Sequence, residues 1–186
     1  MRDPYFFGYG SLVNRATHAY PSPQRARLTG WRRAWRHTGL REVAFLTAIP
    51  DPASAIDGLI APVPGGDWAA LDAREWAYER LPTPDVAHPL PHPVEIAVYA
   101  VPATSAVPDA NPPILLSYLD VVVQGYHREF GPEGVAAFFA TTSGWEAPIL
   151  NDRAAPRYPR AQQLTETETA LVDTHLARLA ARLIDG

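Results

Sequence analysis

Up to residue 102 the apolar positions come in short runs that alternate with polar ones and stop at Pro, Gly or Asp, a pattern of strands joined by tight turns. It predicts strands over Tyr5 to Gly8, Ala26 to His37, Val43 to Ile49, Ile56 to Val63, Tyr78 to Val86 and Val94 to Val101. One helix interrupts them from about Asp67 to Trp76, with Asp67 as cap and good helix formers behind it. Past a loop rich in Pro, Ala and Ser that runs to Pro113, the period changes. Leu115, Leu119, Val122, Val123 and Tyr126 recur at helical spacing, which predicts a helix over Ile114 to Phe130. A shorter helix is expected over Gly134 to Ala140, then an irregular stretch from Thr141 to Gln163. A capping box of Thr165 and Glu168 opens a terminal helix with Leu171, Val172, His175, Leu176, Leu179 and Leu183 on one stripe. No repeat and no domain-separating linker divides the β-rich half (about 1–102) from the helical part (about 113–186), so a single domain over 1–186 is expected. The architecture this implies is α+β, with a barrel-like or strongly curved sheet.

Composition narrows the chemistry. With 47% apolar and 19% charged residues the chain has ordinary globular usage. All 16 basic residues are arginine, which excludes a Schiff-base lysine, a lysine base and a phosphate-loop lysine. Cysteine is absent too, which removes thiolate nucleophiles, disulfides, iron-sulfur clusters and cysteine-based zinc sites. A net charge of -4 has the wrong sign for a dedicated nucleic-acid binder. Neither a signal peptide nor a run of about 18 apolar residues is visible, so a cytoplasmic address without a membrane partner is expected.

Two segments carry candidate chemistry. In Phe6-Phe-Gly-Tyr9-Gly10-Ser11-Leu12 a strand runs into glycines, where backbone N–H groups can form a nest for an anionic group and Ser11 adds a hydroxyl. A plain strand end with a Gly turn explains the same residues. The third glycine of a dinucleotide fingerprint is replaced by Val13, and no Gly-x-Ser-x-Gly elbow is present. In the second segment, Trp68 to Tyr78, helical spacing puts Glu75 on a stripe with Trp68, Leu71 and Tyr78. Burial there raises a carboxyl pKa toward the range of a general acid/base. The alternative is a surface Glu paired with Arg74 or Arg80.

Taken together, Tyr9-Gly-Ser-Leu12 after the first strand and Leu71-Asp-x-Arg-Glu75 in a short helix resemble the γ-glutamylcyclotransferase-like superfamily. Pro113 to Gly125, in which Tyr118 precedes Gly125 by about two helical turns, looks like a further helix of that family. The resemblance implies a small mixed β-barrel flanked by helices. It also implies an amide-cleaving, acyltransferase- or lyase-type enzyme. The α-amine of a γ-glutamyl substrate attacks its own γ-carbonyl, releasing 5-oxoproline and an amine or amino acid. Glu75 would be the acid/base, Tyr9, Gly10, Ser11 and Leu12 would cradle the glutamyl head, and Tyr118 would supply a phenolic hydrogen bond. The partner is then a small-molecule γ-glutamyl compound, with no metal or cofactor needed and no nucleic acid or membrane expected.

The sequence leaves the amine half of the substrate and the oligomeric state open. An alternative is a non-catalytic member of the same fold that binds a small molecule or RNA, using Arg32, Arg33 and Arg36. Strand alternation offers a plainer account of that arginine-rich segment, with Trp31, Arg33 and Trp35 facing in and Arg32, Ala34 and Arg36 facing out. His88 and His92 sit in a proline-rich turn without metal-ligand spacing, and residues 141–163 carry no assigned role.

Overall fold

Phe6 and Phe7 are neighbours in β1 (Tyr5–Gly8), so they point to opposite faces of a sheet, and both are buried. Phe7 joins the main core with Leu28, Leu59 and Ile60 of adjoining strands and Leu119, Val122 and Tyr126 of a long helix. Phe6 enters a second cluster with Leu12, Ala61, Val63, Leu71 and Tyr99. A strand buried on both faces is an interior strand, and β1 is one. In the computed structural model, which describes residues 2–83, 85–105, 107 and 111–185, β1 pairs antiparallel with β3 (Phe45–Pro62) and parallel with β6 (Ile96–Ala100). The full order is β4-β6-β1-β3-β2-β5, with β2 at Gln24–Arg36, β4 at Glu79–Pro82 and β5 at Val86–Ala87. The sheet is curled into a half-barrel, so the expected α+β class with flanking helices is what the chain adopts.

The helices are α1 (Ala69–Arg74), α2 (Leu116–Ala140) and α3 (Glu166–Arg178). The two helices expected around Pro132 are the halves of α2, broken at Gly131, where φ is 69° and the following proline lacks an N–H. The predicted capping box is present on α3: the Thr165 hydroxyl accepts from Glu168 N and the Glu168 carboxylate accepts from Thr165 N.

Four expectations are corrected. Val43 to Ile49 and Ile56 to Val63 are not two separate strands but the two arms of the single 18-residue β3: β2 pairs with residues 45–50 and again with 55–60, and residues 51–54 bulge out unpaired where the register shifts between Thr29 and Trp31. Tyr78 to Val86 is instead two short strands, since Glu79–Pro82 pairs with β6 and Val86–Ala87 with β2. Pro84 of that stretch, like Ala106 and residues 108–110 of the expected loop, lies outside the described residues. The terminal helix stops at Arg178, and Leu183 sits in β10 (Leu183–Asp185), drawn into a second sheet beside β9 (Ile149–Asn151), which also pairs with β7 (Ile114–Leu115). The stretch from Thr141 onward therefore holds strands: β9, and β8 (Thr142–Ser143), which pairs with β2.

No helix among the described residues is long and apolar enough to cross a membrane.

Candidate active site

At the end of β1 the chain passes through Tyr9 and Gly10 into a single 3-10 turn, Ser11–Val13, closed by bonds from Val13 N to Gly10 O and Asn14 N to Ser11 O. Among the described residues no protein carbonyl accepts from the Ser11 or Leu12 N–H, as befits the first donors of a helical turn. The loop is clamped from three sides. Buried Arg33 donates from Nε to Tyr9 O at 3.1 Å, and the Tyr126 hydroxyl donates to the same carbonyl at 2.9 Å. Asn14 Nδ2 donates to Val121 O and Gln124 Oε1, both at 2.9 Å. Arg74 donates to Ser11 Oγ at 3.1 Å and Thr17 O at 2.8 Å.

One face of α2 closes on this loop. Tyr118 and Gly125 are seven residues apart and so share that face. A Cβ on Gly125 would stand 2.7 Å from Asn14 N, and a Cβ on Gly10 would stand 2.7 Å from the Tyr118 hydroxyl oxygen. Both glycines are therefore conditions for contact between helix and loop.

Glu75 follows the last residue of α1, whose Leu71 is anchored in the second core cluster. Asp67 Oδ1 accepts from Ala69 N at 3.1 Å, so Asp67 serves the helix start as expected, although the helix itself is shorter than Asp67 to Trp76. The Glu75 side chain is 16% exposed and accepts from Arg74 Nε at 3.1 Å. Desolvation raises its carboxyl pKa above the ordinary value, and the nearby guanidiniums of Arg74, Arg160 and Arg41 only partly offset that.

Glu75 sits where two spaces meet. An inner cavity of about 30 Å³ is bounded by Gly8 to Leu12 and Leu46, and an outer chamber of about 120 Å³ is bounded by Arg41, Trp76, Tyr158 and Arg160. Ser11, Glu75, Tyr78 and Tyr118 line both. All six residues singled out from the sequence, Tyr9, Gly10, Ser11, Leu12, Glu75 and Tyr118, thus lie around one cavity.

Tyr9, Tyr78 and Tyr118 are among the tyrosines lining this space, and burial raises the pKa of all three, so each remains an O–H donor at neutral pH. Their donors are not equally available. Tyr9 donates to Tyr99 O at 2.5 Å and Tyr78 to Leu46 O at 3.0 Å. The Tyr118 hydroxyl donates to no protein acceptor among the described residues, while its oxygen faces the Ser11 N–H.

Sequence reasoning missed Tyr78, Arg41, Tyr158 and Arg160 at this site. Tyr78 is marked only by its place on the Glu75 stripe and Arg41 only as the end of an arginine-rich segment; Tyr158 and Arg160 come from the irregular stretch, which is pinned by buried Asp152. Its carboxylate accepts from Ser117 N at 2.8 Å, Ser117 Oγ at 2.6 Å and Arg157 N at 2.9 Å. Arg153 beside it is bidentate on Asp120 at 2.8 Å. Tyr158 then packs edge-on against Tyr118 at 5.0 Å between ring centroids. The expected inward face of β2 is present too: Arg33 is 1% exposed, Trp35 is buried and Trp31 half-buried. Ala34, expected to face out, is buried as well. Arg33 spends its guanidinium on Tyr9 O, Asp57 O, Thr141 Oγ1 and the Tyr126 hydroxyl, which removes it from any nucleic-acid surface.

No protein-family model and no curated protein sequence matches the chain. Solved structures do. A structure titled gamma-glutamyl cyclotransferase superposes with a TM-score of 0.58 at 15% identity, over 92% of this chain and 99% of that one. The chain has the γ-glutamyl cyclotransferase fold. An uncharacterized protein from Homo sapiens aligns with a TM-score of 0.55 at 15% identity, covering 93% of this chain and 99% of that one. YkqA from Bacillus subtilis aligns at 0.58 and 19% identity over 77% of this chain, which spans only 57% of the YkqA chain. At these identities the likeness establishes the fold, and the chemistry has to be argued from the cavity.

Proposed function

We propose that the protein is a γ-glutamyl cyclotransferase: it cleaves a γ-glutamyl amide by intramolecular attack and releases 5-oxoproline and an amine. The observation that carries this reading is Glu75, a desolvated carboxylate at the junction of the two spaces, beside the Ser11–Val13 turn whose first N–H groups are taken by no carbonyl among the described residues.

The substrate holds its own nucleophile and electrophile, so the protein has to fold it into an attacking conformer, take one proton and hold one oxyanion. The Glu75 carboxylate takes a proton from the α-ammonium, and the freed amine attacks the γ-carbonyl carbon to close a five-membered ring. Negative charge then develops on the carbonyl oxygen. The Ser11 and Leu12 N–H groups, the Ser11 hydroxyl and the Tyr118 hydroxyl are the donors suited to receive it. When the amide C–N bond breaks, protonated Glu75 returns its proton to the departing nitrogen, and the second proton, left on the ring nitrogen by the attack, passes to the released amine, which leaves as an ammonium beside the neutral lactam. One carboxyl serves as base and then acid, and a raised pKa suits both halves of the cycle near neutral pH.

The test is incubation of the purified protein with glutathione and a panel of γ-glutamyl amino acids and amines, with 5-oxoproline measured by mass. Glu75→Gln should lower the rate by about 10²- to 10⁴-fold, the range of a positioned acid/base, while the circular dichroism spectrum stays native. Absence of 5-oxoproline from every substrate, or full activity in a folded Glu75→Gln, refutes the reading.

A further inference from the structure

The outer chamber has a charge of its own. Its lining carries Arg41, Arg74 and Arg160 against the single carboxylate of Glu75. Arg74 is consumed within the protein by Glu75, Ser11 and Thr17. Among the described residues, Arg41 and Arg160 have no carboxylate in ion-pair range and donate no side-chain hydrogen bond. Every other arginine on the chamber wall is thus spoken for, while these two keep their donors.

Both are also held in place. The Arg41 guanidinium lies 4.9 Å from the centroid of the Trp76 ring and 5.7 Å from that of Phe45, so ring faces take its plane and its edge remains for a ligand. Arg160 is half-buried at the end of the segment that Asp152 ties to α2. Two guanidiniums on the wall of one chamber, Arg41 exposed and Arg160 half-buried, offer donors that match the planar oxygens of a carboxylate.

We infer that Arg160 and Arg41 select the amine half of the substrate, and that this half carries a carboxylate: an amino acid or a short peptide rather than a polyamine. The inference rests on the cyclotransferase reading of the cavity. It follows from where the leaving group must go. With the glutamyl head against Gly10 to Leu12 and the scissile amide at Glu75, the departing half occupies the outer chamber. A cationic tail there would meet two unpaired guanidiniums, whereas a carboxylate would pair with them. The same arginines act on Glu75 through space and favour its ionised form. Their removal therefore affects all substrates, and the decisive readout is the ratio between substrates rather than any one rate.

The experiment compares kcat/KM for γ-glutamyl-alanine, glutathione, γ-glutamyl-ethylamide and γ-glutamyl-putrescine in the wild type, Arg160→Gln and Arg41→Gln. The first two share the carboxylate but differ in its distance from the amide, which separates an amino-acid from a peptide leaving group. At least one should exceed the ethylamide by about ten- to a hundredfold, the worth of a charge-assisted hydrogen bond, with putrescine the poorest. In Arg160→Gln that preference should shrink about tenfold, through KM more than kcat. Equal rates for the carboxylate substrates and the ethylamide, a preference for putrescine, or an unchanged ratio in both variants overturns the inference while leaving the cyclotransferase reading standing. Calorimetric titration of Glu75→Gln with the same four compounds gives the ranking without turnover. If nothing turns over and no compound binds, both fall together.

Discussion

The contact between Gly10 and Tyr118 gives a prediction whose size can be worked from geometry. The Gly10 backbone stands at φ -117° and ψ -128°, a pair outside the broad α and β regions, so Gly10→Ala combines a backbone part that is independent of residue 118 with a steric part that Tyr118 controls. The added Cβ would lie 2.7 Å from the Tyr118 hydroxyl oxygen, with Leu46 Cδ2 at 3.5 Å and Tyr118 Cζ at 4.0 Å. Only the first distance is too short, so the hydroxyl must retreat or the loop must shift. Overpacking of this kind costs about 1–3 kcal/mol. Tyr118→Phe removes the offending atom, and by itself it loses at most one hydrogen-bonding group, about 1 kcal/mol. With Phe at 118 the nearest neighbours of the new Cβ are those at 3.5 and 4.0 Å, both ordinary contacts. Gly10→Ala should therefore lose its steric part, and keep only its backbone part, in the Tyr118→Phe background. A double-mutant cycle by urea denaturation should give a coupling energy of about 1–2 kcal/mol, the second substitution costing less in the presence of the first. At roughly 2–4 °C per kcal/mol for a chain of this size, the Gly10→Ala loss of Tm should be larger in the Tyr118 background than in the Phe background. Additive losses would refute the claim that Gly10 is required by the phenol.

Two further outcomes follow from buried carboxylates. Burial raises the Glu75 pKa above its ordinary 4.5, so folding favours the protonated form, and Glu75 costs stability progressively as pH rises from that value through the shifted one. Glu75→Gln should accordingly be more stable than the wild type at pH 7, with the difference closing by pH 4; a variant less stable at pH 7 would show that the Arg74 pair outweighs desolvation. Asp152→Ala would leave donors from Ser117 and Arg157 unsatisfied, at about 1–3 kcal/mol for each that stays buried. It should lower the urea midpoint and raise KM more than it lowers kcat, because Tyr158 and Arg160 lose their anchor; an unchanged midpoint would contradict the pinning role of this carboxylate.

What the sequence by itself determined is what local physics controls. The alternation around Phe6 and Phe7, the glycines after Tyr9, the capping box at Thr165 and the helical period beyond Ile114 all act over a few residues, and each marks a real element. The six residues marked as candidates lie around one cavity, because each sits in a short pattern that can be read without its neighbours in space. Strand boundaries were another matter. Whether Val43 to Val63 makes one strand or two depends on the partner, and β2 pairs on both sides of the middle that reads as a turn, which bulges out between the two paired arms. Leu183 fits a helical stripe, yet pairing with β9 draws it into a strand. Tyr78 and Arg160 lie 82 residues apart in the chain and line the same chamber. Tertiary structure alone decided that arrangement, because a charge left unpaired or a phenol left with a free donor is defined by its surroundings in space and has no signature along the chain.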